Sequence, residues 1–402
     1  MNQRKKLLLL GGSAQQVVAI ETAKSLGYET ILCDYLPDNP GKDHAHRFYQ
    51  VSTTDKAAIL EVAQKEGIAG IVAYASDPAA PTAAYVAEVM GLPGNPAASV
   101  EILCNKDQFR RFLAENGFNA PQAGGYSNVE DAMADLARFR LPVIIKPVDS
   151  SGSKGATVLH TWDNVGEALK FAFSFSRSKR IIIEEFIEKN HPYLIGGDIF
   201  VVDGKVSMWG LLNCHRDSAV NPLVPVGKSY PPTLEDRDLQ AVRYTLQRMV
   251  DKLGIRCGAM NVELVVDKAG RVWPIDVGPR NGGNMIPDLL GYIFGVDVVD
   301  LTVRAAMGEN VTLDCGEGKP FYATHNLHSS RSGSFVGVEY SDDIKPYIIR
   351  ECVYKTTGDK VEYFDNAAKA LGILFLKFPD KQTMERILGE VNAHVTVRLE
   401  EY

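Results

Sequence analysis

The sequence has no long apolar run. Its apolar stretches, such as Leu7–Leu10 and Ile181–Ile183, are strand-length and far short of the ~20 residues of a membrane-crossing helix. It has no basic excess: 43 Lys and Arg against 50 Asp and Glu give a formal net charge of −7. A general nucleic-acid binder would carry the opposite balance, so no nucleic acid and no membrane are expected as partners. Cysteine is sparse. The six residues, at 33, 104, 214, 257, 315 and 352, form no CxxC pair. That excludes a zinc-ribbon pattern and a disulfide framework, and it reads as reduced thiols of a cytoplasmic protein. The basic start MNQRKK is followed by only four leucines, without a small-residue cleavage site, so no secretory signal is expected. Repeats and low-complexity tracts are missing too. What remains is 402 residues, 45% apolar and 23% charged, a globular composition with room for two or three domains.

The first hundred residues alternate strand and helix. Strands are expected at 6–10, 28–34 and 70–74, and helices at 14–26, 57–66 and 81–90. This βαβ rhythm implies a parallel sheet covered on both faces. The Gly11-Gly12-Ser13 turn suits an anion at a helix start, but Ala-Gln-Gln follows without the later glycine of the dinucleotide fingerprint. Asp34 then reads as a ribose ligand or, more simply, as a cap or loop residue. An amphipathic helix follows at 105–117. Next come helix 129–139, strand 143–147, strand 156–160, helix 164–175 and strand 181–186. Asp203-Gly204, between strands 199–202 and 206–212, is the strongest hairpin signal. A long helix at 234–253 precedes strands at 258–266 and 271–277, and residues 324–402 read as a further α+β piece.

Four constellations carry chemistry. The loop Asp149-Ser150-Ser151-Gly152-Ser153-Lys154-Gly155 joins two strands, and its small residues allow close backbone approach to phosphate oxygens. It is no Walker A loop, and a flexible hairpin is the plain alternative. Lys146 falls inside an apolar strand, where an ammonium needs an anion or an exit to water. Glu184 and Glu185 end the strand that continues into Phe186 and Ile187. That edge could read an adenine while a carboxylate takes an amine or a ribose, or the strand simply runs into solvent. Glu263 and Asp276 lie on consecutive strands and can stand side by side, a placement that raises a carboxylate pKa unless cations intervene. Mg²⁺ suits such a pair beside nucleotide phosphates. After them, Pro279-Arg280-Asn281-Gly282-Gly283-Asn284 supplies a guanidinium for phosphoryl or carboxylate charge. His215 and Asp217, and the 324–331 segment with His325, His328 and Arg331, are polar enough to line a substrate side, although a structural histidine and a solvated loop are the plain readings.

The ordered set Lys106, Lys146, SSGSKG, EEFI, Glu263, Asp276 and PRNGGN resembles the ATP-grasp superfamily. The likeness is closest to single-unit ligases similar to the carbamoyl phosphate synthetase large chain and to L-amino-acid ligases. It implies an α/β and α+β chain: a Rossmann-like pre-grasp domain over 1–104, an ATP-grasp domain over 105–312 with a lid subdomain at about 120–187, and a C-terminal α+β subdomain over 313–402. It implies ATP and Mg²⁺ as cofactors, with Mn²⁺ as a substitute. It also implies cofactor-binding roles for Lys106, Lys146, Ser151, Gly152, Ser153, Lys154, Gly155, Glu184, Glu185, Phe186, Ile187 and Asp198. Glu184 to Ile187 would form the adenine-side hinge, and Asp198 or His191 would meet the ribose. Glu263 and Asp276 would hold the metal, and Arg280 and Lys146 would be catalytic. Where many superfamily members have Asn as a further metal ligand, this chain has Gly278; Asn281 or Asn284 could compensate. The implied reaction is ATP-dependent ligation of small-molecule carboxylate and amine (or thiol) substrates through an acyl phosphate, in a cytoplasmic protein that forms a homodimer. Bicarbonate activation with carboxylation or carbamoylation, and ATP binding without turnover, are the alternatives.

Overall fold

The computed structural model describes residues 4–150, 152–189 and 191–401, which form four sheets. The first is parallel, in the order Arg47–Gln50, Glu29–Asp34, Lys6–Leu10, Gly70–Val72. Leu7 to Leu10 are all buried because both faces are covered. Helices Lys56–Glu66 and Ala80–Met90 pack on one side through Ile59, Val62, Ala83 and Val86. Helix Val17–Ser25 packs on the other. The expected helix at 14–26 breaks into a 3₁₀ turn, Ala14–Gln16, and that α-helix. Gln16 causes the break: its carboxamide accepts from the Ser13 N–H at 3.0 Å and donates to the Tyr74 carbonyl at 2.7 Å. The helix Val298–Ala306, not foreseen, completes the same core with Val299 and Val303.

The second sheet is antiparallel, in the order Ala123–Tyr126, Ile181–Glu185, Val143–Pro147, Thr157–Leu159. Val143, Ile145, Ile181 and Ile183 face the helix Val165–Phe175. Strand alternation therefore turns Lys146 and Glu184 to the opposite face.

The third sheet has eight strands, in the order Val272–Gly278, Gly258–Val266, Leu194–Val202, Lys205–Asp217, Asn221–Tyr230, Tyr322–Leu327, Gly372–Lys377, Ile348–Val353. It takes strands from both sides of residue 312. The helix Asp236–Leu253 covers one face through Val242, Leu246, Met249 and Val250. The helix Ile286–Phe294, also not foreseen, covers part of the other against Phe200, Met208 and Leu212. The Asp203-Gly204 turn is as expected, with φ of 48° and 77° and Val202 paired to Lys205. A three-stranded sheet, Lys360–Val361, Gly333–Tyr340 and Val395–Glu400, packs over the C-terminal core. Among the described residues no helix is long and apolar enough to cross a membrane.

Candidate active site

Register fixes the acidic pair. Glu263 lies directly opposite Asp276 on the two outermost strands of the large sheet. Two carboxylates so placed repel unless cations stand close. The cations are there. Lys106, first residue of the helix Lys106–Glu115, places Nζ 3.8 Å from Asp276 Oδ2 and donates to the Ser150 carbonyl at 2.7 Å. Arg216 pairs with Glu263. Burial alone would push the Asp276 carboxyl up, but the charges of Lys106, Lys146, Arg280 and Arg110 outweigh it and hold the group below its ordinary value. Protein crowds this carboxylate, yet 45% of the side chain stays open to the cleft.

Lys146 reaches the same cleft from the second sheet. Its ammonium is buried and pairs with Glu184. Burial pulls the lysine below its ordinary pKa against that partner. Glu184 is buried too, which would raise its pKa, but Arg110 and Lys146 bring it down to about 2. Arg110 donates from Nε to Glu184 Oε2 at 2.8 Å and from Nη2 to the Ile275 carbonyl at 2.6 Å. Ile275 is the bulged residue left over where Glu263 pairs with Asp276 but Leu264 with Pro274. Arg110 thus ties the small sheet to the strand that carries Asp276. The Glu184 carboxylate is thus engaged by Lys146 and Arg110, which leaves its backbone as the part that could serve the expected hinge. Glu185 is tied to Arg140, whose backbone N–H donates to Glu185 Oε1 at 2.9 Å. The Glu185 and Phe186 N–H groups bond the Gln122 and Pro142 carbonyls. Phe186 is exposed, and Ile187 half-buried.

The Ser150–Gly155 loop leans on the rest of the chain. Ser150 Oγ donates to the Lys154 carbonyl at 2.8 Å, and Ser153 Oγ to the Leu223 carbonyl at 2.9 Å. Gly152, Ser153 and Gly155 hold φ of 67°, 62° and 74°. A Cβ at Gly155 would lie 2.8 Å from Phe175 Cβ, so that position needs glycine on two counts. Ser151 lies outside the described residues.

Arg280 arrives from the loop after the acidic pair. Asp77, a residue that no sequence motif singled out, grips it: Nε donates to Oδ1 at 2.7 Å and Nη2 to Oδ2. The signal for Asp77 was its place just past a parallel strand, where α/β sheets present their ligands. Asp198 is fully buried in the large sheet, and its carboxylate accepts from Asn261 Nδ2 at 2.8 Å and the Gly282 N–H at 2.7 Å. The second of these bonds ties Asp198 to the loop that carries Arg280. Burial pushes its pKa up to about 6. Asn281 is buried and donates from Nδ2 to Thr302 Oγ1 at 3.0 Å. A Cβ on Gly278 would stand 2.4 Å from Asp77 Oδ1. His191 has no hydrogen-bond partner among the described residues. His215 bonds Ser229 Oγ at 2.8 Å and packs against the Tyr193 ring at a 54° tilt, and burial takes its pKa down to about 4. Asp217 instead takes His328 and Asn392. Of the 324–331 segment, 324–327, with His325, belong to the buried strand Tyr322–Leu327, whereas His328 is half-buried and Arg331 exposed.

Also missed was Lys228, a buried lysine whose Nζ lies 2.7 Å from Cys214 Sγ. Like Lys146 it interrupts an apolar strand, and Pro222 and Pro225 hid that strand. A cavity of about 270 Å³ runs from Thr54, Lys56 and Glu101 inward to Asp77, Lys106 and Asp276. Hard carboxylate oxygens in register, beside Lys106 and under a backbone-rich loop, form a donor set suited to Mg²⁺ and phosphate. Among the described residues no group of three or more His, Cys, Asp or Glu could hold a metal by itself.

The family model for the carbamoyl-phosphate synthase L chain, ATP binding domain, matches residues 105–314. The formate-dependent phosphoribosylglycinamide formyltransferase of Vibrio parahaemolyticus serotype O3:K6 is 28% identical over 297 residues, 69% of this chain and 70% of that protein. Among solved structures, the L-amino acid ligase from Bacillus licheniformis superposes with a TM-score of 0.82 at 20% identity, covering 100% of both chains. The phosphoribosylglycinamide synthetase from Anaerococcus prevotii gives 0.76 at 19% identity, covering 99% of this chain and 100% of that one.

Proposed function

This chain belongs to the carbamoyl-phosphate synthase L chain ATP-binding family and has the ATP-grasp fold, and from that premise we propose that it is an ATP-dependent ligase joining a small carboxylate to an amine. The observation that carries the reading is the meeting of Lys106, Lys146 and Arg280 around Asp276, with Glu263 beside it. Phosphoryl transfer needs just such charge placed in advance, because its transition state spreads negative charge over the transferring oxygens.

Lys106 and Lys146 would meet the phosphates, with Gly152, Ser153, Lys154 and Gly155 closing over them. The backbone at Glu185, Phe186 and Ile187 would border the adenine. Glu263 and Asp276 would hold Mg²⁺, which would supply positive charge against the phosphates; Mn²⁺ would suit the same oxygens. Arg280 would face the carboxylate as it takes the phosphoryl group. The product of that step, an acyl phosphate, is open to hydrolysis, so the Ser150–Gly155 loop must exclude water until the amine attacks. The formyltransferase it resembles is named for formate, a carboxylate, and the structural neighbour for amino acids, which carry both a carboxylate and an amine. A cytoplasmic homodimer is the setting we infer.

The test is ADP release from the purified chain with Mg–ATP, offered pooled carboxylates with pooled amines, and bicarbonate alone, with Lys146→Ala as control. ADP formed only with an organic acid and an amine, and lost in the control, is the expected result. ADP with bicarbonate alone would replace this reading by carboxyphosphate chemistry. Nucleotide binding without turnover in any pool would overturn it.

A further inference from the structure

Asp77 belongs to the first sheet's end of the molecule, and Arg280 to the large sheet. The chain leaves the strand Gly70–Val72 through Ala75, an alanine held at φ 51°, a costly conformation kept where something nearby over-determines it. The turn delivers Asp77 to Arg280. The contact is two-pronged, and the third arm, Nη1, donates to the Asn281 carbonyl at 2.9 Å. Three of the five guanidinium N–H groups are fixed in this way, and two remain for an anion. Both side chains are largely buried, at 22% and 13% exposure. A forked carboxylate–guanidinium pair sets direction as well as charge.

Two further features close on the same pair. Gly278 sits outside the left-handed region, so its backbone does not demand glycine. Space does: a Cβ would meet Asp77 Oδ1 at 2.4 Å and Arg280 Nε at 3.1 Å. At the other end of the loop, Gln15 Oε1 accepts the Asn284 N–H at 2.9 Å, where Asn284 and Met285 hold φ of 54° and 52°. Two segments of the first sheet's side therefore grip both ends of the loop that carries Arg280.

We propose that Asp77 is a positioning residue for Arg280. It aims the guanidinium so that the two free N–H groups meet the developing anion, Gly278 supplies the room, and docking of the first sheet becomes a condition for turnover. This rests on the ligase reading.

The experiment compares Asp77→Ala, Asp77→Asn and Gly278→Ala, alone and the first also in an Arg280→Ala background. The readouts are kcat, KM for ATP, ATP affinity by titration and the melting midpoint. Asp77→Ala should lower kcat roughly 100-fold, the scale of an ångström-sized misplacement of a catalytic group, with KM for ATP held within roughly threefold. Asp77→Asn should recover part of the loss, because one acceptor remains. In the Arg280→Ala background the Asp77→Ala loss should vanish. If Asp77→Ala does not fold, Gly278→Ala serves, since it should dislodge the same pair and lower kcat with ATP affinity kept. A kcat within roughly twofold of the parent, or an equal loss with Arg280 already removed, overturns the proposal. A parent chain that turns over no substrate refutes the ligase reading; a parent that turns over while its Asp77→Ala variant keeps its kcat refutes the role of Asp77 alone.

Discussion

Two cations, Lys146 and Arg110, share the Glu184 carboxylate in a buried site. Removing one member of such a cluster strands charge away from water. Arg110→Met should cost about 3–5 kcal/mol, read as a fall in the urea midpoint at unchanged slope. A loss under about 1 kcal/mol would mean that Lys146 alone satisfies the carboxylate. Asp198 gives the opposite kind of dependence. Its pKa rises on folding from the ordinary 3.8 to about 6, so the folded chain binds more protons between those values and its stability falls as pH rises through that window. Glu184, lowered from 4.5 to about 2, adds stability that is lost as pH falls below its ordinary value, so the two groups separate along the pH axis. In Asp198→Asn the decline above pH 4 should disappear. The variant should gain on the parent by on the order of 3 kcal/mol between pH 4 and 7, measured as unfolding free energies at stepped pH. A difference that stays flat with pH would show that Asp198 is ionised throughout.

At the scale of elements, the loop between Val143–Pro147 and Thr157–Leu159 is the most demanding piece of backbone in the cleft. Gly155→Ala puts a Cβ at a positive φ, about 1–2 kcal/mol by itself, and into Phe175 and Pro147. The loop must then move off the phosphates. KM for ATP should rise at least roughly tenfold, with Gly166→Ala, where a Cβ meets nothing, as the neutral control. Equal kinetics in the two variants would remove the loop from nucleotide binding. Much of this region was readable beforehand, because its signals are local: alternation placed Val143–Pro147 and Gly258–Val266, and Asp-Gly placed its hairpin. The strand Asn221–Tyr230 was not readable, since Pro222, Pro225 and Lys228 contradict a central strand. The sheet accommodates them with register breaks at Arg216, opposite Pro225. The helix Ile286–Phe294 starts from a left-handed Met285 instead of a capping side chain, which leaves Pro287 and Asp288 in its first turn as its start signals. At the site, charged residues set among apolar strand neighbours marked Glu263, Asp276 and Lys146. Arg110 and Gln15 act only through partners far along the chain, and nothing local marks them; Asp77 has only its place just past a parallel strand. Glu184 and Asp198 were visible as acids in strands, but only their three-dimensional partners decide what they do.

At the scale of the whole molecule, the cleft is bordered by the first sheet, the small antiparallel sheet and the edge of the large one. Few groups cross the cleft itself, whereas outside it Asn95 donates to the Cys257 carbonyl at 3.0 Å and Ser99 to the Leu253 carbonyl at 2.6 Å. Arg110 links the small sheet to Ile275, Ser153 links the loop to Leu223, and Asp77 and Gln15 link the first side to the Arg280 loop. The small sheet otherwise has its own core of Val143, Ile145, Leu169 and Ile183. A unit with its own core and few ties can swing as a body on the segments that join it. The joining segments are 116–122, which enters it, and 186–193, which leaves it. Nucleotide held between Lys146 on one side and Lys106 and Asp276 on the other would add ties across this gap. Amide exchange should therefore slow at 149–155 and 185–188 when Mg–ATP is added, while Leu7–Leu10, already buried in the first sheet, should be unchanged. Lys146→Ala should abolish most of the slowing, because the small sheet then loses its anchor on the phosphates. Protection that spreads evenly over all sheets would mean that the molecule tightens as one body, and protection that survives Lys146→Ala would place the anchor elsewhere on the small sheet.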